Sequence, residues 1–173
     1  MISRLHFTLT LLISYVLFYN LLLFDKLSAL LLGMFVASFS SIPDYDWKIY
    51  SWSNKQIIRL RKSPLKYVLF PYYFSLIVIN KLFRHRTTTH SVFFAGAFFL
   101  LGYFVTPLLH LIGLAVLLHI LEDCFTVSGV PVFYPLSKKS LKIPLINTKK
   151  HLKEQKILSY LAVICLIILL IFF

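Results

Sequence analysis

HRTTTHSVFFAGAFFLLGYFV, residues 85–105, decides how this chain is read. Two imidazoles, a guanidinium and four hydroxyls, His85-Arg86-Thr87-Thr88-Thr89-His90-Ser91, run without a spacer into an apolar stretch from Val92 to Val105. Ionisable groups in or beside a spanning segment are costly, so their presence there points to a function. The remaining stray polar residues, His6, Asp44, Asp46, His119 and Asp123, are then weighed by whether they reach the same place.

Composition sets the class. Of 173 residues, 59% are hydrophobic and only 14% charged, with a mean hydropathy of +0.83. That is too apolar for a soluble domain of this length and predicts an all-α integral membrane protein in a single domain, 1–173. The net charge of +12 would suggest nucleic acid in a soluble protein. Here the basic residues flank apolar runs, where the positive-inside rule and anionic headgroups account for them, so the expected partner is membrane lipid and no nucleic acid. Cys124 and Cys165 lie at or in apolar runs and read as reduced packing residues.

Working outward, about five spans are expected, at 5–24, 27–42, 88–106, 107–123 and 157–173. The first, which begins after Arg4, has an apolar core longer than a secretory signal's and no small-x-small cleavage site. Asp25-Lys26 makes a tight turn. Gly33, Ala37, Ser38, Ser40 and Ser41 on the second run would let helices approach closely. Pro43 ends that run, and Asp44-Tyr45-Asp46 is expected in a non-helical turn. Segments 43–64 and 124–156 are expected on the cytoplasmic side. Within the first, Ile57, Ile58 and Leu60 beside Arg59 and Arg61 suit a helix lying on the membrane surface, with a solvated loop as the alternative.

Residues 65–80 are apolar but short, and Pro71 interrupts them near the middle. Charge decides their path. If they do not cross, every Lys and Arg except Lys26 falls on one side. If they cross, Lys81, Arg84, Arg86 and the lysines at 138, 139, 142, 149, 150, 153 and 156 join Lys26 outside. The positive-inside rule prefers the first arrangement, and 65–80 is read as a re-entrant or interfacial hairpin.

In that topology His6, the Asp44-x-Asp46 pair, His85 with His90, and His119 with Asp123 all sit at the inner ends of their spans. Four helix ends thus present metal-ligand types on one face of the membrane. His119 and Asp123 are spaced i, i+4 and share a helical face. The candidate metal ligands are His6, Asp44, Asp46, His90, His119 and Asp123; the candidate catalytic residues are Asp46, His85 and Arg86. A mixed histidine and carboxylate shell suits Zn²⁺ best, with Mn²⁺ or Fe²⁺ also compatible and room for one or two ions. Arg86 and the start of the third span would attract an anionic group such as a phosphate. The plainer readings are that His6 packs in an apolar helix, that Pro43-Asp44-x-Asp46 only ends one, and that His85 orients Asp44 or binds substrate. His110 falls at the opposite face and reads as structural; His151 and Glu154 read as solvated.

Ile42-Pro43-Asp44-Tyr45-Asp46, His85-Arg86-x-x-Thr89-His90-Ser91, and His119-x-x-x-Asp123 followed by Gly129-Val130-Pro131 and Tyr134-Pro135-Leu136-Ser137 together resemble the YdjM-like family of LexA-regulated, predicted membrane-bound metal-dependent hydrolases. The resemblance covers residues 1 to about 145. It implies a multi-helix inner-membrane protein and a site of Asp44, Asp46, His85, His90, His119 and Asp123, joined by His6. The expected function is a metal-dependent hydrolase opening at the cytoplasmic interface onto a lipid headgroup or other amphiphilic ester or phosphoester. The alternative is a metal-binding transport or regulatory membrane protein without hydrolysis. Leu, Phe and Ile dominate mid-membrane, which leaves that alternative without a polar pathway.

Overall fold

A computed structural model describes residues 3–83, 87–147 and 152–172. Among these residues the regular structure is helical and no strand forms. Two long helical hairpins make the body of the molecule. In the first, α1 (Ser3–Val16) continues into a π turn at Leu17–Leu21, and the chain reverses into α2 (Lys26–Phe39). Asp25, at the expected turn, caps α2: its carboxylate accepts hydrogen bonds from the Leu27 and Ser28 amides, each at 3.1 Å, satisfying donors that a helix start leaves open. Two middle helices of a side element follow, α3 (Tyr45–Arg61) and α5 (Phe70–Leu82), separated by the single turn α4 (Leu65–Val68). The second long hairpin is α6 (Val92–Phe104) and α7 (Leu108–Cys124), and α8 (Leu152–Phe172) closes the chain.

α1 is the centre of the packing, touching α2, α7 and α8, while α7 also contacts α2 and α6. Tyr15, Phe18, Ala29, Val36, Ala115, Leu118 and Leu166 form one core cluster between these helices. Ala95, Val116, Ile120, Cys124, Val130 and Val132 form a second, under the loop that follows α7. Small residues recur at the contacts, as membrane helices require, because lipid offers no hydrophobic drive to associate and close backbone approach must supply it. At Gly102 the approach is extreme: a Cβ there would overlap the His110 ring, which also stacks edge-on against Tyr103 at 4.9 Å and contacts the Pro107 carbonyl through Nδ1 at 3.1 Å. His110 is therefore held in packing between α6 and α7, as expected.

α8 is long and apolar enough to cross a membrane, at 21 residues; α2 and α6 are apolar but shorter, at 14 and 13. At the tips of the two long hairpins large apolar side chains stand open, Leu23 at 83% exposure and Tyr103 and Phe104 at 81% and 79%.

Three local expectations change. Residues 45–61 form a regular helix, so Asp46 lies in its first turn rather than in a non-helical turn. Pro71 does not break 65–80 in the middle; it falls in the first turn of α5, where the missing amide hydrogen costs nothing. α5 packs on α3, and the Asn80 amide nitrogen ties them by donating to the Tyr50 carbonyl at 3.3 Å and to Ser53 Oγ at 3.1 Å. The cap of α6 is Ser91, whose Oγ accepts from the Phe94 amide at 3.3 Å. α8 begins at Leu152, ahead of the expected start at 157.

From 125 to 147 the chain is non-helical, pinned by isolated backbone pairings of Val130 with Leu141 and Thr126 with Ile146. Gly129 permits this fold: its φ is +60°, and a Cβ would lie 2.5 Å from the Leu141 carbonyl oxygen. The same loop reaches back to α6, where the Val132 carbonyl accepts from the Val92 amide at 2.9 Å.

Candidate metal centre

α1 starts, α2 ends, α6 starts and α7 ends at the same end of the bundle, and their side chains meet there. From α1 comes His6, from the turn after α2 Asp44, from α3 Asp46, from the short 3-10 turn Thr88–His90 before α6 His90, and from α7 His119, Glu122 and Asp123. Four of the chain's six acidic residues thus gather in one place. All three histidines, Asp46 and Asp123 are fully buried and Glu122 is 4% exposed; Asp44 alone is substantially open, its side chain 39% exposed.

The nitrogen and oxygen atoms face one another closely. His90 Nε2 and His119 Nε2 are 3.4 Å apart. Asp44 Oδ1 lies 3.7 Å from each of them. Asp123 Oδ2 lies 3.8 Å from His90 Nε2 and 4.0 Å from His119 Nε2. His90, His119 and Asp123 thus form one group of buried ligand atoms, all within 4.8 Å of one another. A tetrahedral ion with bonds of about 2.0–2.1 Å has ligand edges of roughly 3.3–3.4 Å, so these three would draw in by roughly half an ångström to hold one. His6, Asp44 and His119 form an overlapping triad, each atom within 4.8 Å of the others. His6 stacks on His119 with ring centres 4.1 Å apart and puts Nε2 3.5 Å from Asp123 Oδ1.

The fit to a cation rests on two further observations. Buried carboxylates and face-to-face imidazole nitrogens are unfavourable without a positive charge between them. And His6 Nε2 is buried and makes no hydrogen bond among the described residues, its ionic neighbour Asp123 Oδ1 lying 3.5 Å away. The residues present suit a divalent ion.

Around these atoms lies a second set that turns the rings. His6 Nδ1 meets Glu122 Oε2 at 2.6 Å, and the Thr10 hydroxyl, one helical turn along α1, donates to Glu122 Oε1 at 2.9 Å. On the other side, Asp46 Oδ2 is 3.6 Å from His90 Nδ1, and Thr89 Oγ1 touches both, at 3.2 Å and 3.1 Å. In both cases a carboxylate sits at Nδ1 while Nε2 points to the centre, the arrangement in which metal-binding histidines are held. Burial opposes the charge on Asp44, but its hydrogen bond with His90 and the neighbouring His119 outweigh it and lower the carboxyl from 3.8 to about 2.

His6, Asp44, His90, His119 and Asp123 are thus brought together as expected. Asp46 reaches the same cluster but at the far nitrogen of His90. His85 and Arg86 lie outside the described residues. Glu122 and Thr10 were not foreseen. The signal was available in the spacing of His6 and Thr10, i and i+4 on one face, and in a glutamate placed directly before Asp123. An open pocket of about 260 Å³, lined by Ser3, Ser41, Asp44, Tyr45 and Lys48, connects Asp44 to the surface.

Fold and site together define a helical membrane protein whose buried histidines and carboxylates can hold a metal ion. The family model described as YdjM inner membrane protein matches residues 1–173, and the chain belongs to that family over its whole length. No curated protein and no solved structure matches it.

Proposed function

We propose that the protein is a metal-dependent hydrolase of the inner membrane that acts on a lipid headgroup or another amphiphilic ester or phosphoester. The observation that carries this reading is the buried triad of His90, His119 and Asp123, with the half-exposed Asp44 on its solvent side, so that a fourth position on the ion would face the pocket there. A catalytic site needs an open position for water and substrate, whereas a structural site is closed on all sides. Zn²⁺ is the ion this donor set favours, with Mn²⁺ or Fe²⁺ as alternatives. Such an ion supplies Lewis acidity towards a carbonyl or phosphoryl oxygen and acidifies water.

The chain's own groups do the rest. Asp46 through Thr89, and Glu122 through His6, fix the tautomers that leave Nε2 facing the centre. Asp46 is on this reading an orienting residue. Asp44, half open, is placed to hydrogen-bond a water entering by the pocket at its side. Arg86, one of the residues outside the description, is offered by sequence as the anion-binding group.

In the bilayer, α1–α2 and α6–α7 are proposed to cross with α8, giving five spans with the site at the cytoplasmic face. Their 13–17 residues reach roughly 20–26 Å, short of a hydrocarbon core of about 30 Å, so the site end sits in a thinned or recessed bilayer. A lipid already in the membrane would meet it there.

The test is metal content and turnover measured together. Wild-type protein purified without chelators should carry stoichiometric divalent metal and hydrolyse a member of a phospholipid panel. His90→Ala and Asp123→Ala should lose both while inserting normally into membranes. Full turnover in both variants would remove the proposal.

A further inference from the structure

A second cleft, of about 590 Å³, lies beside the metal centre and is lined by Tyr50, Ile77, Lys81, Thr87, Tyr134 and Lys138, among others. Its volume is that of a small-molecule site. It abuts the metal cluster at two points: Tyr50 is one helical turn beyond Asp46 on α3, and the Thr87 carbonyl accepts from the His90 amide at 3.2 Å. Two ammonium groups and two phenols line it, and no carboxylate among the described residues does.

We propose that this cleft seats a phosphate-bearing lipid, with the phosphate between Lys81 and Lys138 and an acyl chain lying along α5. The pattern of α5 carries the second half. Phe70, Phe74, Ile77 and Lys81 fall at i, i+4, i+7 and i+11, one face of the helix. The three apolar members are 60%, 56% and 41% exposed, and the stripe ends at the lysine that enters the cleft. An exposed apolar track leading to a cationic recess matches an amphiphile with an anionic head, and neither free phosphate nor a polynucleotide has a use for the track. As a substrate subsite this rests on the hydrolase reading; as a lipid-binding site it stands without it.

Lipid binding to the full-length protein in mild detergent is the test, using phosphatidylglycerol and phosphatidylcholine as probes and metal content read on the same samples. Phosphatidylglycerol should bind more tightly, and Lys81→Gln with Lys138→Gln should weaken it by about tenfold or more, since each lysine near an anionic head contributes about 1 kcal/mol. Metal content should stay unchanged. Lys62→Gln with Lys66→Gln, a control pair outside both clefts, should bind like the wild type, and so should His90→Ala. Equal loss in the control pair would mean diffuse charge attraction and overturn the proposal. Displacement of the lipid by millimolar inorganic phosphate would assign the recess to free phosphate and overturn it as well. If the lipid binds as expected but the wild type turns over no substrate, the enzyme reading fails and the lipid seat remains.

Discussion

His6 is gripped at one nitrogen and offered at the other. Its Nδ1 is 2.6 Å from Glu122, which is itself held by Thr10, so the ring has little freedom to turn. Glu122→Gln keeps the shape of that contact and replaces its carboxyl by an amide. Metal affinity should fall about 10–100-fold, the usual effect of losing such a partner, with helical content unchanged by circular dichroism. Thr10→Val should show a smaller loss in the same titration. Asp44 behaves differently because its carboxyl is lowered to about 2. A lowered carboxylate adds stability above its ordinary 3.8 and loses that contribution as pH falls towards 2. Asp44 should therefore remain ionised at neutral and mildly acid pH, and its infrared carboxylate band should change only below 3.8. The candidate ligands were readable from sequence because each interrupts or ends an apolar run. Glu122 was not, since beside Asp123 it looked like the end of a span rather than the partner of a histidine on the opposite side of the sequence.

Among the elements, α6 depends on its Ser91 cap. Thr87, Thr88 and Thr89 all offer hydroxyls, yet Ser91 takes the role, and Thr89 is diverted to Asp46 and His90. Ser91→Ala should lower stability by about 1 kcal/mol in a detergent unfolding titration, without altering metal content. The α6–α7 crossing tolerates less. Gly102→Val would drive its side chain into His110, and a lowered unfolding midpoint is expected, partly recovered when His110 is also shortened to Ala. The apolar runs that became α1, α2, α6, α7 and α8 were legible from hydropathy. α3 was legible only in part: Ile57, Ile58 and Leu60 beside Arg59 and Arg61 suggested a helix, but its start at Tyr45 and its packing on α5 are announced by no local pattern. Pro71 misled for a related reason: a proline marks a helix start as readily as a break, and only the turn at Leu69 decides which.

For the whole molecule, what matters is that residues more than a hundred positions apart share one end of the bundle. His6 and Asp123 are in contact, and so are Asp46 and His90. If the two long hairpins both cross the bilayer, cysteines placed at Lys48 and Lys138 should react with a membrane-impermeant reagent from one side, and cysteines at Lys26 and Tyr103 from the other. The same labelling pattern for all four would rule out that arrangement. In the sequence, the uneven clustering of the basic residues is what suggests that arrangement. It gave no hint of the α3–α5 cleft, which arises from tertiary packing.

Asp44 has a kinetic consequence. Its neighbours in the shell are sealed from solvent while its own side chain is 39% exposed, so exchange with the surroundings would proceed by rotation of that one carboxylate. A bound ion would then leave slowly even under strong chelation, and shortening this residue should speed stripping far more than it weakens equilibrium occupancy. The protein would retain its ion through long starvation of metal, and the length of that memory would be set by a single rotamer.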